Sequence, residues 1–143
     1  MEESLAALRG LGVHPMAWLA TGSRPFPSPV PQRLIDRGAQ VFQRSADSSM
    51  DPPAVRDLTA RLRALGPGAV LHTHGERALL WGRIAARLAG ARHVHTQHGF
   101  VAHDPRGEVR VRVARQLFRG VDQVLVTHSG DGEGLPGAIV VHN

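Results

Sequence analysis

At 143 residues the chain suits one domain, large enough to bury roughly 70% of the surface that its unfolded form exposes. Its net charge of +5 comes from arginine alone, since lysine is absent; with no tyrosine and few, scattered Phe and Trp, it lacks the basic stripe and stacking platforms of a nucleic-acid binder. The lack of cysteine excludes disulfides, thiolate metal ligands and cysteine nucleophiles. MEESLAALRG has no leader pattern and no apolar run reaches the ~20 residues of a membrane span, so a soluble, cytoplasmic protein is expected.

In chain order, LAALRGLG reads as the closing turns of a helix, and VHPMAWLAT as a strand with Pro15 at an edge or among its first residues. TGSRPFPSPVP is a proline-rich loop, RLIDRG a short helix, AQVFQ a strand and RSADSSM a polar connector. In MDPPAVRDLTARLRALG, Asp51 is placed to cap a helix and Pro52 to occupy its first position. Val55, Leu58, Leu62 and Leu65 recur at helical spacing until Gly66 stops it.

AVLHTHG, residues 69 to 75, is a strand. Alternation sets Val70, His72 and His74 on one side and Leu71 and Thr73 on the other. ERALLWGRIAARLAG is a helix with Leu80, Trp81, Ile84, Ala85 and Leu88 as its expected buried face and Gly90 as its stop. HVHTQHGF then opens as a strand and turns at Gly99. GEVRVRVARQLFRG gives a helix with Val109, Val113 and Leu117 at i, i+4 and i+8, and VDQVLVTHS and AIVVHN supply two more strands.

Strands alternating with helices, each change marked by Gly or Pro, are the rhythm of βαβ units. The expected fold is α/β: a Rossmann-like three-layer α/β/α sandwich with a mainly parallel sheet. Such sheets bind ligands outside the carboxyl ends of their strands, which brings HTHGE, QHGF and THSGD to one edge.

Three features resemble the amino-terminal, acceptor-side domain of the GT-B glycosyltransferases, in particular their large retaining family 4. HTHG leads into LLWGRIAARLAG; VHTQHGF follows after a short gap; VDQVLVTHS then precedes AIVVHN. The match is close over residues 69 to 143 and loose before them. It implies sugar transfer from a nucleotide-sugar donor, a co-substrate, to a hydroxyl acceptor, either a sugar or a lipid-linked group, with retention and without metal or other cofactor. By this resemblance His98 is the catalytic residue facing the transferred sugar, with Gly99 and Phe100 beside it. His72, His74, Gly75, Glu76 and Arg77 line the acceptor side, and Ser129 is a further substrate contact.

Members of the family begin with a strand and glycine-rich turn ahead of the first helix, whereas this chain is read as starting inside that helix, and they continue into a donor-binding domain. The chain is therefore expected to be a partial, inactive single domain that needs a donor-binding partner in cis or as a separate chain. Without the central first strand, unpaired backbone and apolar side chains favour self-association, unless MAWLA fills the gap. The rival readings are a non-catalytic binding or scaffolding module with the same fold and half of a sugar-nucleotide epimerase.

Each motif has a plainer reading. His98 could be a turn histidine bonded to a neighbouring carbonyl rather than a hydrogen-bond partner of a sugar hydroxyl. The pairs His72/His74 and His93/His95 could join a zinc site with His98, but no carboxylate sits at ligand spacing, so they are read as satisfied polar groups near the sheet edge. Glu76 in the first helical turn complements the helix dipole and repels phosphate, which suits an acceptor rich in hydroxyls. Arg110, Arg112, Arg115 and Arg119 form a solvated basic face that could also hold the protein peripherally at the anionic inner face of a membrane. Thr127, His128 and Ser129 lack the GxSxG setting of a nucleophile.

Overall fold

The computed structural model describes residues 8, 10–21, 28–45, 51–98, 112, 113, 115–127, 135 and 137–141, with the backbone alone at 21, 76 and 77. The chain divides into two compact units, Met1–Asp51 and Pro52–Asn143.

The first unit holds β1 (Met16–Thr21), α1 (Val30–Asp36) and β2 (Gln40–Ser45). MAWLA thus lies in β1, which pairs in parallel with β2 from Met16↔Gln40 to Thr21↔Ser45. Pro15 falls just ahead of β1, where its missing N–H removes no ladder bond. Helix α1 starts inside the proline-rich stretch read as loop, because a proline in the first turn needs no N–H partner and has its φ already set for a helix. Strand β2 likewise runs two residues into the expected polar connector. Leu34 of α1, 1% exposed, is the buried anchor of this unit.

The second unit contains α2 (Pro52–Leu65), β3 (Val70–His74), α3 (Glu76–Ala89), β4 (Arg92–Gln97), β5 (Gln123–Val126) and β6 (Ile139–Val140). Residues 115–118 are helical ahead of β5. The strands stand in the order β3-β4-β5-β6, every neighbouring pair parallel. The expected α/β class with parallel sheets is thus present. Leu58 and Leu62 of α2 are buried as the spacing implies, whereas Leu65, the last residue of the helix, lies beyond the packed surface and is exposed. Arg63 of α2 donates to the Leu88 carbonyl in the last turn of α3 at 2.8 Å, satisfying a carbonyl that has no partner within its own helix.

Helix α3 packs against β3, β4 and α2, so its buried surface is wider than one stripe and is rotated from the expected face. Leu79, Trp81, Ala85 and Ala86 are buried, Leu80 and Ile84 are half-buried, and Leu88 is exposed. Gly82 sets this rotation. A Cβ there would stand 2.5 Å from Thr73 Cγ2, 3.0 Å from His93 Nε2 and 3.1 Å from Leu71 Cδ2; only a glycine lets the helix axis lie this close to the sheet.

Gly82→Ala is therefore expected to destabilise the protein by about 1–2 kcal/mol. Overpacking outweighs the roughly 1 kcal/mol that alanine gains in helix propensity. Thr73→Ser, which deletes the closest clashing methyl, should recover part of that loss in a double-mutant cycle read by denaturant unfolding. Additive losses would show that the contact is not the cause.

On the face beneath α3, in-register rows read Leu71–His93, Thr73–His95–Val124 and Gln97–Val126. Leu79, Phe118, Val124, Val126 and Leu135 form a buried apolar cluster beside this row of polar groups. Val109 lies outside the described residues. Val113, expected to be buried, is 53% exposed, and Phe118 takes the core position instead, its ring centroid 5.5 Å from that of His95. Arg83 of α3 donates to the carbonyls of Gln116 and Leu117 at 3.2 and 2.9 Å, fastening that short helical segment to α3.

Candidate functional site

Parallel pairing sets His74 opposite Thr96, so β3 and β4 end side by side and the residue after β4, His98, emerges next to the end of β3. His74 Nδ1 lies 3.1 Å from His98 Nε2, with ring centroids 5.4 Å apart and planes inclined by 20°. His72, on the same face as His74 two residues back, brings its ring centroid to 4.4 Å from that of His74. The Nε2 of His72 is held 2.7 Å from Thr96 Oγ1. The shared rim is therefore His72, His74, Thr96 and His98, with His98 exposed and not sealed in the core.

Gly75 follows His74 at φ 82 and ψ 156, a region open essentially to glycine alone. No atom lies within 4 Å of a Cβ built there, so its requirement is conformational: it turns the chain sharply from β3 into α3. Glu76 and Arg77 are the first two residues of α3, and the structure describes their backbone only. Gly99, Phe100 and Ser129 lie outside the described residues. Thr127 N–H donates to the Gln97 carbonyl at 3.3 Å, which carries the end of β5 to the same edge as the end of β4.

Burial and neighbouring charge favour the neutral forms of His72 and His74. Burial, then the nearby charges of His72, His98 and His95, pulls His74 down to about 4. Partial burial, followed by the charge of His98, lowers His72 as well. Neutral imidazoles both donate and accept a hydrogen bond, which suits hydroxyl ligands. Thr96 was missed at the level of sequence, where it reads only as a strand former. Its signal was there in the alternation: Thr96 and His98, two apart, share a side, as do His72 and His74.

His93 and His95, expected near the sheet edge, are instead 2% and 0% exposed beneath α3. They are core histidines tied by Thr73: its Oγ1 is 2.8 Å from both His93 Nε2 and His95 Nδ1. His95 Nε2 reaches Gln97 Oε1 at 3.3 Å. Asp122 holds the backbone of His93 twice, its carboxylate accepting from His93 N–H at 2.7 Å and its own N–H donating to the His93 carbonyl at 2.9 Å. The odd-numbered residues of β4 thus pack the core, while the even-numbered ones face the rim.

Parallel strands that present polar side chains at their carboxyl edge, beside a glycine turn opening a helix, define a Rossmann-like α/β domain, a class whose sheets bind ligands at that edge. The chain belongs to glycosyltransferase family 4, whose model, Glycosyltransferase Family 4, matches residues 2–132. It is the amino-terminal type of GT-B domain. The crystal structure of Anabaena HepE in complex with UDP is similar in fold, with a TM-score of 0.65 at 16% identity over 90% of this chain. The match takes in 44% of the HepE chain, so the present chain spans less than half the length of that relative. No curated protein sequence matches it.

Proposed function

We propose that this chain is the acceptor-side domain of a retaining glycosyltransferase that moves a sugar from a nucleotide-sugar donor to a hydroxyl on a sugar or lipid-linked acceptor. One observation carries this: His98 stands exposed at the carboxyl edge of the sheet, against His74 and next to the Gly75 turn. An imidazole so placed can hydrogen-bond a sugar hydroxyl while its neighbour fixes its orientation. His72, His74, Gly75, Glu76, Arg77, Gly99, Phe100 and Ser129 would surround the acceptor. The UDP held by HepE supports a nucleoside-diphosphate leaving group. A donor-binding domain, in the same polypeptide or a second chain, would bring the donor, and neither metal nor other cofactor enters the transfer.

The test is sugar transfer by the protein assembled with its donor-binding domain. His98→Ala is expected to lower kcat by about 10²-fold, the scale of losing one preorganised polar contact at a reacting centre, with an unchanged thermal midpoint. Undiminished turnover would remove His98 from the mechanism. No helix among the described residues is long and apolar enough to cross a membrane. A lipid-linked acceptor would be met peripherally at the inner face, through the basic face that includes Arg112, Arg115 and Arg119. Co-sedimentation with anionic but not neutral liposomes supports this docking; equal binding to both would end it.

A further inference from the structure

Two imidazole nitrogens from different strands face one another across the rim, and a shared proton is not the only thing that fits between them. Imidazole binds zinc at about 2.0–2.1 Å, and two such bonds meeting at an angle between octahedral and tetrahedral place their nitrogens roughly 2.8–3.4 Å apart. His74 Nδ1 and His98 Nε2 are 3.1 Å apart. We propose that His74 and His98 form a chelating site for a borderline divalent transition-metal ion, represented by zinc(II), on the surface of this domain.

The surroundings favour the pair. His98 is exposed and His74 half-buried, so a hydrated ion has access to the pair. The His74 ring is confined by that of His72 at 4.4 Å, and Thr96 in turn anchors His72; an outer layer of this kind orients a ligand before the metal arrives. His93 and His95 are committed to Thr73 under α3 and do not compete. No group of three His, Cys, Asp or Glu positioned to hold a metal occurs among the described residues. Two imidazoles select zinc, copper(II) or nickel(II) over magnesium and calcium, which prefer all-oxygen shells. An ion so held takes up the imidazoles of His74 and His98, and on the function proposed above it would compete with the acceptor for them.

The experiment is calorimetric titration of zinc chloride into chelator-washed protein at pH 7.5, with magnesium chloride as the contrast. One zinc per chain, saturable and undisturbed by excess magnesium, is expected. His74→Gln and His98→Gln should each weaken binding about tenfold or more, while His72→Gln should change it far less. Circular dichroism checks that each variant is folded. On the wild-type protein, nickel(II) should broaden the imidazole proton resonances of His74 and His98 before those of other histidines, a measurement that depends on no substitution. Absence of saturable zinc binding, full affinity in both Gln variants, or broadening that starts elsewhere overturns the proposal.

Discussion

Thr73→Val is expected to lower the unfolding free energy by about 2–4 kcal/mol, because one hydroxyl satisfies two buried imidazoles. With Gln97 Oε1 as acceptor, His95 Nε2 carries the proton and His95 Nδ1 must accept. Thr73 therefore donates to His95 and accepts from His93 Nε2. The hydrogen bonds run one way, from His93 through Thr73 and His95 to Gln97, and both rings are neutral. His93 Nδ1 is left buried without a partner among the described residues. Valine keeps the shape of threonine but deprives a buried N–H and a buried ring nitrogen at once, each worth about 1–3 kcal/mol. It also sets a methyl where 2.8 Å contacts now stand. Thr73→Ser keeps the hydroxyl and should cost about 1 kcal/mol, for the lost methyl. A valine variant no less stable than the serine one, by urea midpoint at equal m-value, would show that the hydroxyl is not the hub.

The same residues show what could be read in the sequence. Period-two alternation in AVLHTHG was enough to place His72 and His74 on one side of β3, and the strand-end position of His98 brought it next to them once parallel pairing was assumed. Both follow from backbone geometry that every strand shares. The fates of His93 and His95 were not legible. Whether an i, i+2 histidine pair faces solvent or core depends on what covers each face, and here the cover is α3, drawn in by Gly82 against Thr73. A helix spaced by one more methyl would have no room for this packing. The rotation of α3 has the same origin: Leu79 rather than Leu80 reaches the core because the helix contacts both a sheet and α2, and a single stripe does not describe a helix packed on two sides. Phe118 in place of Val113 was a misjudged end of a basic helix, where the arginines conceal the apolar period.

Acidification is expected to destabilise the protein steadily between about pH 6.5 and pH 4, through the buried pair His93 and His95 first, with His74, also lowered to about 4, acting in the same direction. Burial is the leading cause that lowers both to about 4 from an ordinary value of 6.5. Asp122 opposes this at His93, where His72 and Arg83 add to the lowering; at His95 the Gln97 hydrogen bond opposes it, while His93, His72 and His98 reinforce it. Above pH 6.5 both rings are neutral whether the chain is folded or not, and they confer no pH dependence. Between the two values the unfolded chain binds protons that the folded one refuses, so unfolding becomes easier as pH falls. Below about 4 both states are protonated and the dependence flattens. Each gap corresponds to roughly 3 kcal/mol at 1.36 kcal/mol per pH unit. The two rings share Thr73, so their losses do not simply add; even one such loss is a large fraction of the ~5–15 kcal/mol that holds a domain folded. Urea unfolding at a series of pH values should show a positive slope in this window, and the C2 protons of His93 and His95 should keep their neutral NMR shifts below pH 5 while the protein stays folded. Resonances that titrate near pH 6.5 in the folded state would mean that these rings are open to water, and the buried chain of hydrogen bonds through Thr73 could not then exist as described.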